Sequence, residues 1–132
     1  MNREIKFRGK SIYDEEWLYG SLVKIEKDRY AVIPPLNDIE IGKSIGMYEV
    51  CLETVGQFTG LFDKNGKEIF EGDILLVDDY EGVRIYNKVG IKDGCFGYIG
   101  EYSGDLLPFC HYNVTEEIAG NIYDNPELIK EE

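Results

Sequence analysis

Residues 53–77 read Glu53-Thr54-Val55-Gly56-Gln57-Phe58-Thr59-Gly60-Leu61-Phe62-Asp63-Lys64-Asn65-Gly66-Lys67-Glu68-Ile69-Phe70-Glu71-Gly72-Asp73-Ile74-Leu75-Leu76-Val77. Asn65-Gly66 separates two apolar-bearing runs, and both residues tolerate the positive φ that a twist-matched hairpin turn demands. Glu71-Gly72-Asp73 makes a second sharp break, directly before the run Ile74 to Val77. That run has too few polar interruptions for a half-exposed strand, so it is expected to be buried on both faces. Two turns this close together, with strands between them, indicate an antiparallel β protein.

Working outward, the pattern continues. Ile5 and Phe7 alternate with Lys6 and Arg8, which predicts a half-buried strand ended by Gly9. Trp17 to Tyr19 form a short apolar stretch closed by Gly20, and Leu22, Val23 and Ile25 alternate imperfectly with charge. Lys27-Asp28-Arg29 reads as a hairpin connection into the strand Tyr30 to Ile33, which Pro34-Pro35 stops. Residues 36–47 carry no period and are expected to form a surface loop. Tyr48, Val50 and Leu52 alternate with Glu49, Cys51 and Glu53, so a strand with a Tyr-Val-Leu core face is expected. Beyond Asp78-Asp79, Val83, Ile85, Val89 and Ile91 extend the strand pattern, and Asp93-Gly94 is a further hairpin turn before Cys95, Phe96, Tyr98 and Ile99. Ile118 to Tyr123 holds a last apolar run. Asn125-Pro126-Glu127 looks like a helix start, capped by asparagine, for a helix of about one or two turns.

The whole chain of 132 residues is long enough to bury a core without disulfide or metal staples. Its 15 glycines and 10 tyrosines suit short strands and tight turns. With 26 acidic and 14 basic residues, the formal net charge is −12. That balance works against coating nucleic acid or an anionic membrane, both of which need positive charge facing phosphate. No apolar window is long enough for a membrane-spanning helix, and no apolar stretch follows the charged start as a secretory signal requires. Cys51, Cys95 and Cys110 are odd in number and far apart, which favours reduced, buried thiols and a cytoplasmic location.

Chemistry-bearing motifs are sparse. Gly42-Lys43-Ser44 resembles the end of a phosphate-binding loop, but Asn37 stands where its first glycine belongs. Asp63-Lys64-Asn65-Gly66 places glycine fourth rather than sixth, so it reads as a turn and not a calcium loop. Cys110-His111 is the one soft-ligand cluster, and adjacent residues on a strand point to opposite faces, which suits neither zinc nor a Cys–His nucleophile. No catalytic, cofactor-binding or metal-ligating residue is assigned. Close acidic pairs are abundant, and Glu71 with Asp73 is the one worth naming as a carboxylate cluster. Lys6, Arg8 and Lys10 would share one strand face, reading as a solvent face or a phosphate contact.

Three blocks resemble the YopX family of phage and prophage proteins, whose function is not established. The central block runs Glu53 to Leu61, Asp63 to Ile69 and Glu71 to Ile74. The flanking blocks are Arg3-Glu4-Ile5-Lys6-Phe7-Arg8-Gly9-Lys10 with Trp17 to Gly20, and Gly120-Asn121-Ile122-Tyr123-Asp124-Asn125-Pro126-Glu127-Leu128. The resemblance implies a phage or prophage setting inside a bacterial cell and a mainly β fold, and it supplies no catalytic residues. Residues 36–47 and 78–112 carry none of it.

The reading is therefore a mainly β protein, its antiparallel strands forming a small SH3-like, partly open barrel around residues 54–123 with the N-terminal strands packed onto it. The alternative is an α+β fold. One domain spans residues 1–132, with room for an N-terminal lobe (1–53) and a barrel lobe (54–132). The expected role is a non-enzymatic interaction or regulatory module whose partner is a host or phage protein, basic or DNA-binding, with self-association left open. The interaction surface is expected at Asp78, Asp79, Tyr80, Tyr86, Tyr98, Glu101 and Tyr102, where tyrosines supply rigid contact area and carboxylates steer basic surfaces. A nucleic-acid-binding barrel and a small carboxylate- or metal-dependent hydrolase are the alternatives.

Overall fold

The structure is a computed structural model and describes residues 4–35, 46–99, 106–109 and 116–129. Eleven strands, β1 (Phe7–Lys10), β2 (Trp17–Glu26), β3 (Arg29–Ile33), β4 (Tyr48–Val50), β5 (Gly56–Phe62), β6 (Glu68–Phe70), β7 (Asp73–Tyr80), β8 (Val83–Lys92), β9 (Cys95–Ile99), β10 (Leu106–Pro108) and β11 (Glu117–Asn121), are described. They form two antiparallel sheets, of order β4-β3-β2-β1-β5-β6 and β10-β9-β8-β7-β11. The expected mainly β, partly open architecture is the one observed, and neither sheet closes into a barrel. The chain divides into two compact units, Met1–Phe58 and Thr59–Glu132.

In the first unit the sheet curls until the end of β1 meets β4. Ser11 bridges Val50, and the Cys51 N–H donates to the Lys10 carbonyl at 2.8 Å. The Lys27-Asp28 turn joins β2 to β3 as expected, with Asp28 at φ 62°. Three local readings need correction. The first strand begins at Phe7 and runs through Gly9 to Lys10, which leaves Ile5 outside it and exposed. Gly20 does not end a strand: β2 runs through it for ten residues. A Cβ there would lie 2.0 Å from the Ile33 carbonyl oxygen, so glycine is needed for close approach between β2 and the end of β3. Only Val50 of the expected Tyr-Val-Leu face is core; Tyr48 and Leu52 are exposed because β4 ends at Val50 and a 3-10 turn (Leu52–Thr54) follows.

In the second unit Ile69, Leu75, Val89, Tyr98 and Phe109 form the core, with Leu61, Phe96 and Ile118 packed against it. Ile74 and Leu75, adjacent on β7 between β8 and β11, are both fully buried, as a strand covered on both faces requires. Asp93-Gly94 turns β8 into β9 with φ of 54° and 80°. An unforeseen hairpin at Glu81-Gly82, with φ of 51° and 82°, joins β7 to β8, so Asp78-Asp79 lies within β7 rather than breaking it. The expected C-terminal helix is a single 3-10 turn, Pro126–Leu128. Asn125 does not cap it, because its Oδ1 accepts from the Asn121 N–H at 3.2 Å, across the turn that follows β11.

The β5–β6 hairpin is held by Asp63, a buried carboxylate. Its Oδ1 accepts from the Asn65 N–H (2.8 Å) and the Lys67 N–H (2.9 Å), and its Oδ2 from the Ile118 N–H of β11 (3.0 Å). The Lys64 N–H adds a bond to the Glu116 carbonyl at 3.0 Å. Burial pushes the Asp63 carboxyl upward, yet the three backbone donors and the charge of Lys67 outweigh it and hold its pKa below the ordinary value.

Asp63→Ala should destabilise the protein by about 3 kcal/mol, since three inward N–H groups lose their acceptor, and lower the melting temperature by roughly 10 °C. Because the folded pKa is depressed, the stabilisation is fully present above the unfolded carboxylate value near ~4 and is lost as pH falls through the folded one. Chemical denaturation of wild type and Asp63→Asn as a function of pH checks this: the gap between them should narrow below about pH 4.

Candidate functional site

The residues expected to form an interaction surface do not share one environment. Asp78, Asp79 and Tyr80 lie on β7, opposite Ile85, Arg84 and Val83 of β8. Tyr86 is half-buried on β8. Tyr98 does not face outward: it is 3% exposed, its ring meets Phe109 edge-on at 4.9 Å, and its hydroxyl donates to Glu116 Oε1. It was read as surface because a tyrosine run beside acids looks amphipathic, whereas strand alternation carries Tyr98 with its partner Val89 into the core. Glu101, Tyr102, Cys110 and His111 lie outside the described residues, as does Gly42-Lys43-Ser44.

Alternation turns Tyr86, Lys88 and Gly90 to the opposite face of this sheet from Val89. An open cleft of about 220 Å³ is lined by Glu71, Lys88, Val89, Ile91, Ile99 and Tyr123, among others. The carboxylates singled out in the sequence part company at this point. Glu71 borders the cleft, while Asp73 is 2% exposed and accepts from the Phe70 N–H at 2.8 Å, closing the turn at Gly72. Asp73 thus serves the backbone of this turn. Among the described residues no group of three His, Cys, Asp or Glu is placed to hold a metal ion. Cys51 is half-buried, and Cys95, expected to be buried, is exposed because it opens β9 at the Asp93-Gly94 turn.

The basic stripe was misread in a useful way. Lys6, Arg8 and Lys10 do fall on one face of β1, but that face is not a bare solvent face. Arg8 is 5% exposed with its guanidinium 4.6 Å from the centre of the Trp17 ring. Lys10 sits 5.5 Å from the same ring, and Lys6 lies 5.3 Å from the Phe58 ring. The β1–β2 register places Lys10 opposite Trp17 and Arg8 opposite Tyr19, so cation and aromatic meet as cross-strand neighbours. Arg29 is likewise occupied, bonding Glu49 through Nε (3.0 Å) and Nη2 (2.8 Å) and Glu26 through Nη1 (2.6 Å). The Arg29 hydrogen bond holds Glu49 below the usual carboxylate range.

Comparison with known proteins places these features in a family context. A family model described as YopX protein matches residues 6–130. The structure is similar to the crystal structure of protein EF1440 from Enterococcus faecalis, with a TM-score of 0.61 and 28% identity, covering 98% of this chain and 100% of that one. No curated protein matches the sequence. Among the described residues no helix is long and apolar enough to cross a membrane.

Trp17 is the one tryptophan and reports directly on the stacked cations. Arg8→Ala should cost about 2 kcal/mol and shift Trp17 emission to the red, as expected for a desolvated cation over a ring, whereas Lys10→Ala should cost about 1 kcal/mol or less. Equal effects of the two substitutions on stability and emission would show that Arg8 is not the dominant stack.

Proposed function

This chain belongs to the YopX protein family, and from that footing we propose that it is a non-enzymatic interaction module, encoded by a phage or prophage, whose partner is a basic or DNA-binding protein. The observation that carries the reading is how charge is used. The buried carboxylates Asp63 and Asp73 accept backbone N–H groups and so serve the scaffold. The bases of β1 lie over aromatic rings, and Arg29 is clamped by two glutamates. These engaged groups are four acids (Asp63, Asp73, Glu26, Glu49) and three bases (Arg8, Lys10, Arg29), so of the net charge of −12 the remaining groups still carry −11.

Such a field attracts cationic surfaces from a distance and repels nucleic acid and anionic lipid. It also suits occupation of a DNA-binding groove by mimicry of phosphate charge. Because the attraction is between exposed charges, salt should weaken it over the range in which the screening length shortens to about 10 Å and below.

The protein immobilised on resin and exposed to bacterial host lysate should retain a small set of basic proteins at low salt. These should elute as salt rises through roughly 0.1–0.3 M, and mass spectrometry identifies them. Recovery of no basic protein at the lowest salt would contradict the proposal.

A further inference from the structure

The first unit presents an apolar surface that none of the expected site residues touches. The β1–β2 turn, residues 11–16, lies directly against β4: the Ile12 N–H donates to the Glu49 carbonyl at 3.2 Å, and Ser11 bridges Val50. The turn is built locally, with the Glu15 N–H donating to the Ser11 carbonyl at 3.1 Å and the Tyr13 N–H to Ser11 Oγ at 3.1 Å. The turn that carries Ile12 and Tyr13 is thereby bonded to β4, which directly follows Met47 and carries Tyr48. The exposures of these four residues are 42%, 84%, 57% and 50% in that order. Single exposed apolar side chains are ordinary, but here four fall on two segments bonded to each other, and two of them are tyrosine and one methionine, types enriched in the centres of protein interfaces.

The rim has one sign. Residues 11–16 and 46–53 contain five acids, Asp14, Glu15, Glu16, Glu49 and Glu53, and no base. Glu49 is engaged by Arg29, whereas Asp14, Glu15, Glu16 and Glu53 are exposed. Lys10, the nearest base in sequence, lies over Trp17. An apolar centre with an anionic rim is complementary to an apolar anchor flanked by lysine or arginine. A second copy of this chain fits poorly, because two molecules of net charge −12 would bring their anionic rims together.

We infer that Ile12, Tyr13, Met47 and Tyr48, ringed by Asp14, Glu15, Glu16 and Glu53, form the docking surface for a cationic segment of a partner protein that inserts an apolar anchor between the tyrosines. The inference rests on the proposed basic partner and deepens it by fixing where that partner binds. It places the contact on the β1–β2 turn and β4, not on the β7–β9 strands.

The probe is a short synthetic peptide of lysine and arginine bearing leucine anchors, compared with the same peptide carrying serine in their place, by calorimetry at low salt. Wild-type protein should bind the leucine peptide at least tenfold more tightly than the serine peptide. Tyr13→Ser and Tyr48→Ser should abolish that preference, with circular dichroism confirming that each variant folds. Glu15→Lys with Glu16→Lys, which leaves the apolar centre intact, should weaken both peptides at least tenfold. An undiminished preference in both tyrosine variants would overturn this surface while leaving the basic-partner reading in place. Failure of both peptides to bind wild type would overturn both readings. A wild-type dimer by light scattering that Tyr13→Ser dissolves would also overturn the inference, by assigning the patch to a second copy.

Discussion

A carboxylate taken out of water is tolerable only if donors surround it, and Asp63 meets that condition with backbone alone. Three N–H groups converge on its two oxygens, two from its own hairpin and one from β11, 55 residues further along the chain. One side chain therefore fixes the shape of the β5–β6 turn and docks a strand that sequence distance would otherwise leave to pack by hydrophobicity alone. Ile118, whose N–H is held, rests its side chain against the core of Ile69, Leu75 and Val89. The same logic recurs in the next turn, where Asp73 accepts from Phe70 and the Gly72 N–H and carbonyl bond Val89 and Ile122. Acids in the middle of this chain act as acceptors for turning backbone, which accounts for their burial without invoking reactivity.

Much of this was legible from residues alone, and the reasons differ. Asn65-Gly66, Lys27-Asp28 and Asp93-Gly94 announce turns because each pair supplies a glycine or aspartate that tolerates positive φ, and Gly66, Asp28, Asp93 and Gly94 take it up. The fully apolar run at Ile74 and Leu75 announces a strand with no solvent face. Glu81-Gly82 escaped because glutamate is an uncommon occupant of left-handed backbone and the preceding aspartates looked like the break. The Asp63 acceptor network was invisible because two of its donors are local but the third depends on tertiary pairing. Arg8 reads as a surface residue from its strand alone, since no local pattern reveals that Trp17 pairs with Lys10 and that its ring lies against the Arg8 guanidinium. Tyr98 illustrates the converse error: composition suggested a sticky surface, and register with Val89 decided for the core. Residues 36–45 and most of the acidic Tyr-rich segment near Glu101 lie outside the described residues, so the expectations placed there stand apart from the fold.

The division of charge links scaffold to function. Cations are drawn onto rings and glutamates, two acids are drawn inward by turns, and the remaining acids are left to set the surface field. The β1–β2 turn is where that field meets exposed tyrosine and methionine.

Amide hydrogen exchange of Asn65, Lys67 and Ile118, followed by NMR, addresses the central claim most directly. If one carboxylate organises both hairpin and β11, these three amides share an opening event, and replacing Asp63 with asparagine should speed all three together while Leu75 and Val89 change little. Independent exchange of the three amides, or an acceleration confined to Asn65 and Lys67 with Ile118 unchanged, would contradict it.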